Sequence, residues 1–233
     1  MDAIVMAAGE GTRLRPITER WPKPVLPVDG RPVVATLLRE LAAAGCELVV
    51  VVTGHLAEQV EELVGDGAVF GIEIRTVRQP GVLGSADAVG RGLAAGAEPP
   101  CIAVAADTVF TPGDLARFAA SFARSGAAGA MAGRREPPAE PPHRAAIEIV
   151  AGRVVKPIDD DPSNPVGSAP LWGIGPELLP FLARLDGPPF ELGRAFSNAI
   201  AAGLEIAGLE IGKTRDLTYP VDLLRENFPY LGP

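Results

Sequence analysis

The sequence predicts an α/β protein with a mostly parallel central sheet, and three observations lead to that class. Apolar strand-like runs alternate with helical stretches through the first half of the chain. Such alternation is typical of parallel strands joined by crossover helices. The chain has 233 residues, of which 47% are hydrophobic, enough for one large domain with a sizeable core. Its first strand runs directly into a glycine-rich turn, which is where α/β proteins place a ligand.

Hydrophobic periodicity defines the elements most clearly in the first half of the chain. Strands are predicted at residues 3–8, 47–53, 72–77 and 101–106, and helices at residues 33–44, 56–64, 86–95 and 114–124. Asp114 is interpreted as the cap of the last of these helices, because an Asp side chain can accept bonds from free N–H groups. Ligands gather at the carboxyl ends of parallel strands, so Gly9 and Asp107 are expected to lie there together.

The second half of the chain begins with a change of composition after Arg135. Residues 136–142 are rich in proline, which lacks the N–H group and fixes φ, so this segment is predicted to be an exposed loop. Further strands are predicted at residues 146–150, 154–158 and 204–211, and helices at residues 176–184, 191–202 and from about 220. Pro220 suits the first turn of that last helix, where an N–H group has no partner within the helix.

Composition and charge exclude several classes of function. The net charge is −8, which argues against a non-specific nucleic-acid binder, since such proteins need a basic surface. No apolar run reaches the roughly 18 residues of a membrane span, and the first strand lacks the pattern of a signal peptide. Cys46 and Cys101 lack metal-ligand spacing and indicate a reduced, cytoplasmic protein. The sequence therefore predicts neither nucleic acid nor a membrane as partner.

Cations and glycines come together near the start of the chain. The first strand leads into the turn GEGTRL at residues 9–14, and the basic step PKP follows at residues 22–24. Glycines let backbone N–H groups approach an anion closely, and fixed cations neutralise it, so the arrangement predicts a phosphate site. The dinucleotide-binding pattern needs glycine where Leu14 stands, and the P-loop pattern does not occur. The turn therefore belongs to neither of these commoner phosphate loops.

Lysine is used sparingly in this chain, which carries 21 lysine and arginine residues in total. The lysines are Lys23, Lys156 and Lys213. Lysine is a compact point charge and arginine a planar fork, so the two do not interchange at a tight phosphate site. Where arginine is the default cation, a lysine is more often specifically required. Each of these lysines is therefore a candidate for a specific role.

These motifs resemble the opening of the sugar-1-phosphate nucleotidylyltransferases, in which an apolar strand is followed by A-A-G-x-G-T-R-L-x-P and then by P-K-P. The resemblance extends to about Asn227. It implies a Rossmann-like three-layer α/β sandwich with a mostly parallel central sheet, in a single domain over residues 1–233. A nucleotide-binding half at about 1–135 and an acceptor-binding half at about 143–233 are expected on either side of the proline-rich loop at 136–142.

The reaction that the resemblance implies is transfer of a nucleotidyl group from an NTP to a sugar 1-phosphate, which yields an NDP-sugar and pyrophosphate. The sugar phosphate attacks the α-phosphorus in line, and Mg²⁺ gathers the charge. By motif, Arg13 and Lys23 take the catalytic positions. In relatives that use uracil or thymine, a glutamine five residues before a glycine reads the base edge. The expected nucleotide-binding residues are Ala8, Gly9, Gly11, Thr12, Gln79 and Gly84.

The metal and acceptor positions come from the same resemblance. Asp107, after the fourth predicted strand, and Asp216, which opens a stretch similar to D-I-G-T-P-E-D, are the expected Mg²⁺ ligands. Lys156 and Thr108 are the expected acceptor-binding residues. The acceptor side is also where the chain departs from the family pattern. The family has a glutamate, a tyrosine, an aromatic residue and a glycine where this chain has Val155, Leu171, Thr214 and Ala145.

Three functions remain open on the sequence alone. The first is a Mg²⁺-dependent transferase that uses UTP or dTTP with a sugar 1-phosphate. The second keeps the reaction but uses CTP or GTP with another acceptor, such as a polyol, inositol or choline phosphate. The third is a catalytically silent relative that binds nucleotide sugar and regulates a partner, although such relatives tend to lose the basic loop or the metal carboxylates. A homo-oligomer also remains open.

Overall fold

The computed structural model describes residues 1–135, 146–161 and 163–228, so the proline-rich segment 136–142 and Ala145 lie outside the described residues. The strands are β1 (Ala3–Ala7), β2 (Pro27–Val28), β3 (Arg31–Pro32), β4 (Leu48–Thr53), β5 (Glu73–Arg78), β6 (Cys101–Ala105), β7 (Thr108–Val109), β8 (Gly129–Arg135), β9 (Ala146–Val150), β10 (Arg153–Asp159), β11 (Val166–Ile174), β12 (Ile206–Ile211) and β13 (Arg215–Asp216). The α-helices are α1 (Val33–Ala43), α2 (Ala57–Val64), α3 (Ser85–Ala94), α4 (Asp114–Ser125), α5 (Leu179–Ala183), α6 (Leu192–Ala201) and α7 (Pro220–Asn227). Single 3₁₀ turns occur at Thr12–Leu14, Ile17–Glu19, Lys23–Val25, Ala68–Phe70 and Pro176–Leu178.

One large sheet runs through the protein in the order β5-β4-β1-β6-β11-β8-β12-β10-β9. Strands β5, β4, β1 and β6 are mutually parallel, as are β8 and β12. β11 is inserted antiparallel between β6 and β8, and β10 runs antiparallel to both β12 and β9. Seven of the nine strands therefore run in the same direction, and β10 and β11 run opposite to them. Strands from before and after residue 135 interleave in it, because β8 lies between β11 and β12.

The sheet is buried on both faces, which explains why its central strands read as continuous apolar runs. In β1, Ala3, Val5 and Ala7 join one hydrophobic core, whereas Ile4 belongs to a second core on the opposite face. Helices α1, α2 and α4 contribute to the first core, and α3 and α6 contribute to the second. The helices and the sheet form three layers, so the predicted fold class is confirmed.

Most predicted elements begin and end within one or two residues of the observed ones. Strands β8 and β11 are the main omissions from the predicted strands. The sequence of β8, GAMAGRR, consists largely of glycine and alanine, which are poor strand formers. The prediction that Asp114 caps α4 is wrong. The helix begins at Asp114 itself, and the carboxylate instead accepts a 2.9 Å hydrogen bond from the Gly212 N–H group and pairs with Arg117. The Asp114 carboxylate thus bonds a backbone N–H group that is distant in sequence, and not one at the start of its own helix.

Two further expectations concern the environment of the protein. No helix in the described part of the chain has both the length and the apolar character needed to cross a bilayer. Both cysteines are free and buried, and burial raises the pKa of Cys46 to about 11 and that of Cys101 to about 12. Both side chains therefore remain protonated near neutral pH and are poor nucleophiles.

Candidate active site

The turn after β1 is held in one conformation by a glycine and a buried threonine. Gly11 has a φ of +61°, and a Cβ atom at this position would lie 2.9 Å from Thr18 Cγ2, so a side chain is disfavoured both by strain and by space. The Thr18 hydroxyl donates a 2.9 Å hydrogen bond to the Gly11 carbonyl oxygen. Leu14 anchors the end of the turn in a small buried cluster with Leu26 and Leu217. The shape of the turn is therefore set by the protein itself.

A cavity of about 250 Å³ opens beside this turn, at the carboxyl ends of β1 and β6. Lys23 is 13% exposed, and its Nζ forms an ion pair with Asp107 Oδ2. The pairing of β1 with β6 brings the glycine turn next to Asp107, which is distant in the sequence. Half of the predicted site residues thus line one cavity: Gly9, Gly11, Thr12, Arg13, Lys23 and Asp107.

Asp107 and Asp216 lie on either side of one hydroxyl group. Thr108 Oγ1 donates to Asp216 Oδ1 at 2.6 Å and lies 3.3 Å from Asp107 Oδ1, and the β7–β13 ribbon pairs Thr108 with Asp216. Asp216 Oδ2 accepts hydrogen bonds from Arg134 Nη1 at 2.7 Å and from Thr214 Oγ1 at 3.1 Å. Thr108 is buried, and its hydroxyl bonds these carboxylates, so its predicted contact with an acceptor stays a prediction.

The donor atoms of this pair fit a hard divalent cation such as Mg²⁺. The Oδ1 atoms of Asp107 and Asp216 lie near each other, because both lie within 3.3 Å of Thr108 Oγ1. Nowhere in residues 1–135, 146–161 and 163–228 do three or more Asp, Glu, His or Cys side chains gather as a metal site. Two protein carboxylates nevertheless suit Mg²⁺, which keeps waters and takes further ligands from substrate phosphates.

A second cavity, of about 430 Å³, lies on the other side of the same turn. Ala8 lines this second cavity and Gly9 lines the first, so the two adjoin where β1 ends. Gln79 follows β5 and also lines the second cavity. Gly84 is its neighbour, since Gln79 Nε2 donates a 3.1 Å hydrogen bond to the Gly84 carbonyl oxygen. Gly84 has a φ of +101°, and a Cβ atom there would lie 2.5 Å from the Phe190 carbonyl oxygen.

Lys156 lines neither cavity and lies on β10, next to the last strand of the sheet. Its Nζ pairs with Glu148 Oε2 at 3.0 Å and with Asp159 Oδ1 at 3.6 Å. The hydrogen bond to Glu148 and the charge of Asp159 raise the pKa of Lys156. A hydrogen bond from Asn164 holds the pKa of Asp159 below its usual value. The predicted role of Lys156 as a phosphate ligand therefore stays a prediction.

Three residues that contact the site were not predicted as parts of it. Arg134 donates a hydrogen bond to Asp216. In the sequence it is marked only as one of two arginines after an alanine-rich run. His55 Nε2 lies 2.6 Å from the Thr18 carbonyl oxygen and so braces the glycine turn. Asp87 accepts a 2.7 Å hydrogen bond from Gln79 Nε2. Asp87 lies in the same motif as Gln79, but the motif alone does not show which way its side chain points.

The two cavities open where β1 ends, the edge of the sheet at which α/β proteins bind their ligands. The family model described as Nucleotidyl transferase matches residues 2–168, which is more than half of the chain. The chain therefore belongs to the nucleotidyl transferase family.

Named relatives match over shorter segments. UTP–glucose-1-phosphate uridylyltransferase of Synechocystis sp. is 40% identical over 93 residues, or 40% of this chain and 24% of that protein. CMP-5'-(3-aminopropyl)phosphonate synthase of Streptomyces rubellomurinus is 49% identical over 78 residues, or 34% of this chain and 12% of that protein. The matches thus span about a quarter or less of these relatives. The solved inositol-1-phosphate CTP transferase of T. maritima has a TM-score of 0.81 at 20% identity, covers 95% of this chain and 90% of its own, and shows the shared fold.

Proposed function

We propose that the protein transfers a nucleotidyl group from an NTP to a sugar 1-phosphate and releases pyrophosphate. The observation that carries the proposal is the pair of adjoining cavities at the end of β1. Arg13 and Lys23 line the first cavity, which suits a polyphosphate, and Gln79 lines the second, which suits a base. A nucleoside triphosphate carries its base and its phosphates on opposite sides of the sugar, so one molecule can occupy both cavities.

Catalysis then depends on charge and alignment. Arg13 and the backbone N–H groups of Gly11 and Thr12 bind the triphosphate, and Arg13 stabilises the negative charge that develops on the departing pyrophosphate. Lys23 neutralises the repulsion between the α-phosphate and the incoming phosphate of the acceptor. That phosphate is already an anion, so the reaction needs no general base. Fixed positions replace the random encounter of two anions in water, which lowers the entropic part of the barrier.

We propose that Asp107 and Asp216 hold Mg²⁺, which when bound supplies further positive charge to the phosphates. Thr108 bridges the two carboxylates and keeps them at a set separation. Arg134 orients Asp216, and Lys23 is paired with Asp107. A substrate phosphate therefore competes with the Asp107 carboxylate for the Lys23 ammonium group. These contacts keep the charged groups ordered before substrate binds.

The donor nucleotide that we favour is UTP or dTTP. The support comes from Gln79 and Gly84, which have the spacing of pyrimidine-reading residues and are hydrogen-bonded to each other beside the base cavity. Family membership alone does not choose the base, since named relatives transfer uridylyl, guanylyl, thymidylyl or cytidylyl groups. The proposal therefore depends on the local chemistry of Gln79.

A second candidate differs in the acceptor and in the base. The family pattern places a glutamate at Val155, which here is 43% exposed, and a tyrosine at Leu171, which here is fully buried. Thr214 stands in place of an aromatic residue and bonds Asp216. The usual contacts to sugar hydroxyls are thus replaced, and two relatives are named for aminophosphonate substrates. These observations favour CTP with a phosphonate, polyol phosphate or choline phosphate as the alternative reaction.

The test is pyrophosphate release from ATP, CTP, GTP, UTP and dTTP, with Mg²⁺ and a panel of sugar 1-phosphates, polyol phosphates and aminophosphonates. Turnover of UTP or dTTP with one sugar 1-phosphate supports the proposal and names the substrate. Turnover only with CTP or GTP and another acceptor supports the alternative. The Lys23→Ala variant is run in parallel, because a rate far below that of the wild type shows that the measured turnover belongs to this site. Nucleotide binding without turnover on any acceptor supports the silent regulatory reading.

A further inference from the structure

The amide of Gln79 is held inside the protein by hydrogen bonds from its nitrogen. Gln79 is buried, and its Nε2 donates to Asp87 Oδ2 at 2.7 Å and to the Gly84 carbonyl oxygen at 3.1 Å. The backbone N–H group of Gln79 donates to the Thr53 carbonyl oxygen at 2.8 Å, just beyond the end of β5. Both the backbone and the side chain are therefore fixed where Gln79 lines the base cavity.

The chemistry of these partners determines which end of the amide points at them. A carboxylate and a carbonyl oxygen can only accept hydrogen bonds, so the end of the amide that faces them is the NH₂ group. The reversed amide would place Gln79 Oε1 against two oxygens and lose both hydrogen bonds. Within the described residues Gln79 Oε1 makes no hydrogen bond. The carbonyl oxygen is thus the group that this amide offers to a ligand.

Asp87 is itself held in place and remains ionised. Arg91 Nε donates to Asp87 Oδ2 at 2.6 Å, and Arg91 Nη2 lies 3.4 Å from Asp87 Oδ1, one turn along α3. Burial acts to raise the pKa of Asp87, but hydrogen bonds from Arg91 and Gln79 outweigh burial and hold the pKa below its usual value. Arg91 Nη1 also lies 3.4 Å from the Arg78 carbonyl oxygen, which ties α3 to β5.

The Gly84 carbonyl oxygen is the weaker of the two acceptors. Its hydrogen bond from Gln79 is longer, and it also accepts a 3.2 Å hydrogen bond from the Ala88 N–H group in α3. Without the Asp87 carboxylate, only this shared acceptor would hold the amide. The orientation of Gln79 therefore depends mainly on Asp87.

We propose that Asp87 is a positioning residue that sets base selectivity. Its carboxylate accepts the hydrogen bond from Gln79 Nε2, so that only Gln79 Oε1 faces the nucleotide. The site then selects a base with an N–H group at the opposing ring position. Uracil and thymine carry N3–H there, whereas cytosine carries a lone pair that would oppose the oxygen. This inference rests on the proposed function only in that the second cavity receives the base. An unmade hydrogen bond of this kind lowers affinity by roughly 10- to 100-fold.

The test compares equilibrium dissociation constants for UTP and CTP without acceptor, so that its readout is independent of turnover. The wild-type protein is expected to bind UTP about 10- to 100-fold more tightly than CTP. In Asp87→Ala the amide can rotate, so UTP binding weakens, CTP binding improves, and the ratio falls to within about threefold. In Asp87→Asn the side-chain oxygen can still accept from both Arg91 and Gln79, so most of the ratio is expected to remain.

Ser85→Ala is the matched control, because Ser85 lies in the same first turn of α3 but bonds Glu191 and not Gln79. Its UTP to CTP ratio should equal that of the wild type, and thermal unfolding checks that all variants are folded. If the UTP to CTP ratio of Asp87→Ala equalled that of the wild type, the inference would be overturned. It would also be overturned if Asp87→Asn and Ser85→Ala lowered this ratio as much as Asp87→Ala does. A wild-type protein that binds CTP as tightly as UTP would also overturn it.

The two proposals fail in different ways. If Asp87→Ala kept the UTP preference while the wild-type protein released pyrophosphate normally, the role of Asp87 would be contradicted and the transferase reaction would stand. The opposite result, a UTP preference that depends on Asp87 in a protein without turnover, contradicts the reaction and leaves the base selectivity standing. Gln79→Ala separates these cases further, because it should lose the UTP preference whatever occupies position 87.

Discussion

The proposed nucleotide side and the proposed acceptor side of the site are built in different ways. On the nucleotide side, Gly11 and Gly84 hold the backbone in left-handed conformations, and Lys23 and Gln79 bond partners in or beside the two cavities. On the acceptor side, Lys156 is exposed and pairs with carboxylates of its own and the adjacent strand. A preorganised backbone tolerates few changes, whereas exposed charged pairs can be replaced. The proposed nucleotide contacts therefore depend on a fixed backbone, whereas the proposed acceptor contact of Lys156 depends on an exposed side chain.

The largest effect should come from Lys23, which lines the first cavity and pairs with Asp107. Lys23→Ala removes the charge between two phosphates and should lower kcat by about 10²- to 10³-fold, as loss of a transition-state donor does. Lys213→Ala is the control, since Lys213 is exposed and should leave kcat unchanged. Steady-state kinetics, with circular dichroism to verify folding, measure both. A Lys23→Ala enzyme with wild-type turnover would remove the phosphate-binding role from this residue.

Asp107→Asn should have the next largest effect, because it keeps the size of the side chain and removes a negative charge. We expect the Mg²⁺ concentration for half-maximal activity to rise about 10- to 100-fold, the usual cost of disturbing a metal site. Asp186→Asn changes an exposed carboxylate elsewhere and serves as the control. The measurement is a Mg²⁺ titration of pyrophosphate release at saturating substrates. If the titration curve of Asp107→Asn coincided with that of the wild type, Asp107 would not be a ligand.

Gly84→Ala tests whether the nucleotide side depends on backbone conformation. The new Cβ atom would meet the Phe190 carbonyl oxygen at 2.5 Å in a left-handed conformation, so we expect a loss of about 1–3 kcal/mol of stability. Gly81→Ala is the matched control in the same segment, because its Cβ atom would meet nothing within 4 Å and its φ is not left-handed. Denaturant unfolding compares the two variants. Equal stability would show that the turn at Gly84 adapts.

The same comparison explains how much of the molecule could be predicted from sequence. The nucleotide side is encoded locally: glycines, Lys23 and Gln79 stand in contiguous motifs at the ends of strands, and parallel strands bring those ends together. The fold class follows from the same periodicity. Strand β8 escapes prediction because its small residues show neither strand propensity nor alternation. Its position between β11 and β12 is set by packing in the sheet, which no local pattern records.

Contacts between residues that are distant in sequence could not be predicted from local sequence patterns. Arg134 lies 82 positions before Asp216, and only the folded sheet brings the two side chains within 2.7 Å. Asp114 looked like a local helix cap, but a carboxylate can accept from any nearby N–H group, and here Gly212 supplies one. Charged and polar side chains have several satisfactory partners, so a sequence pattern shows their chemistry and not their choice of partner.

Lys156→Ala should have the smallest effect of these variants, because the Lys156 side chain is exposed. Lys156 already pairs with Glu148 and Asp159, so an acceptor phosphate must compete with two carboxylates for it. We expect the KM for the acceptor to rise less than about tenfold, with the KM for the NTP and the melting temperature unchanged. Arg153→Ala removes another exposed cation from β10 and should leave both KM values unchanged. A loss of kcat as large as that of Lys23→Ala would instead place Lys156 at the reacting phosphates, and the acceptor side would then be as preorganised as the nucleotide side.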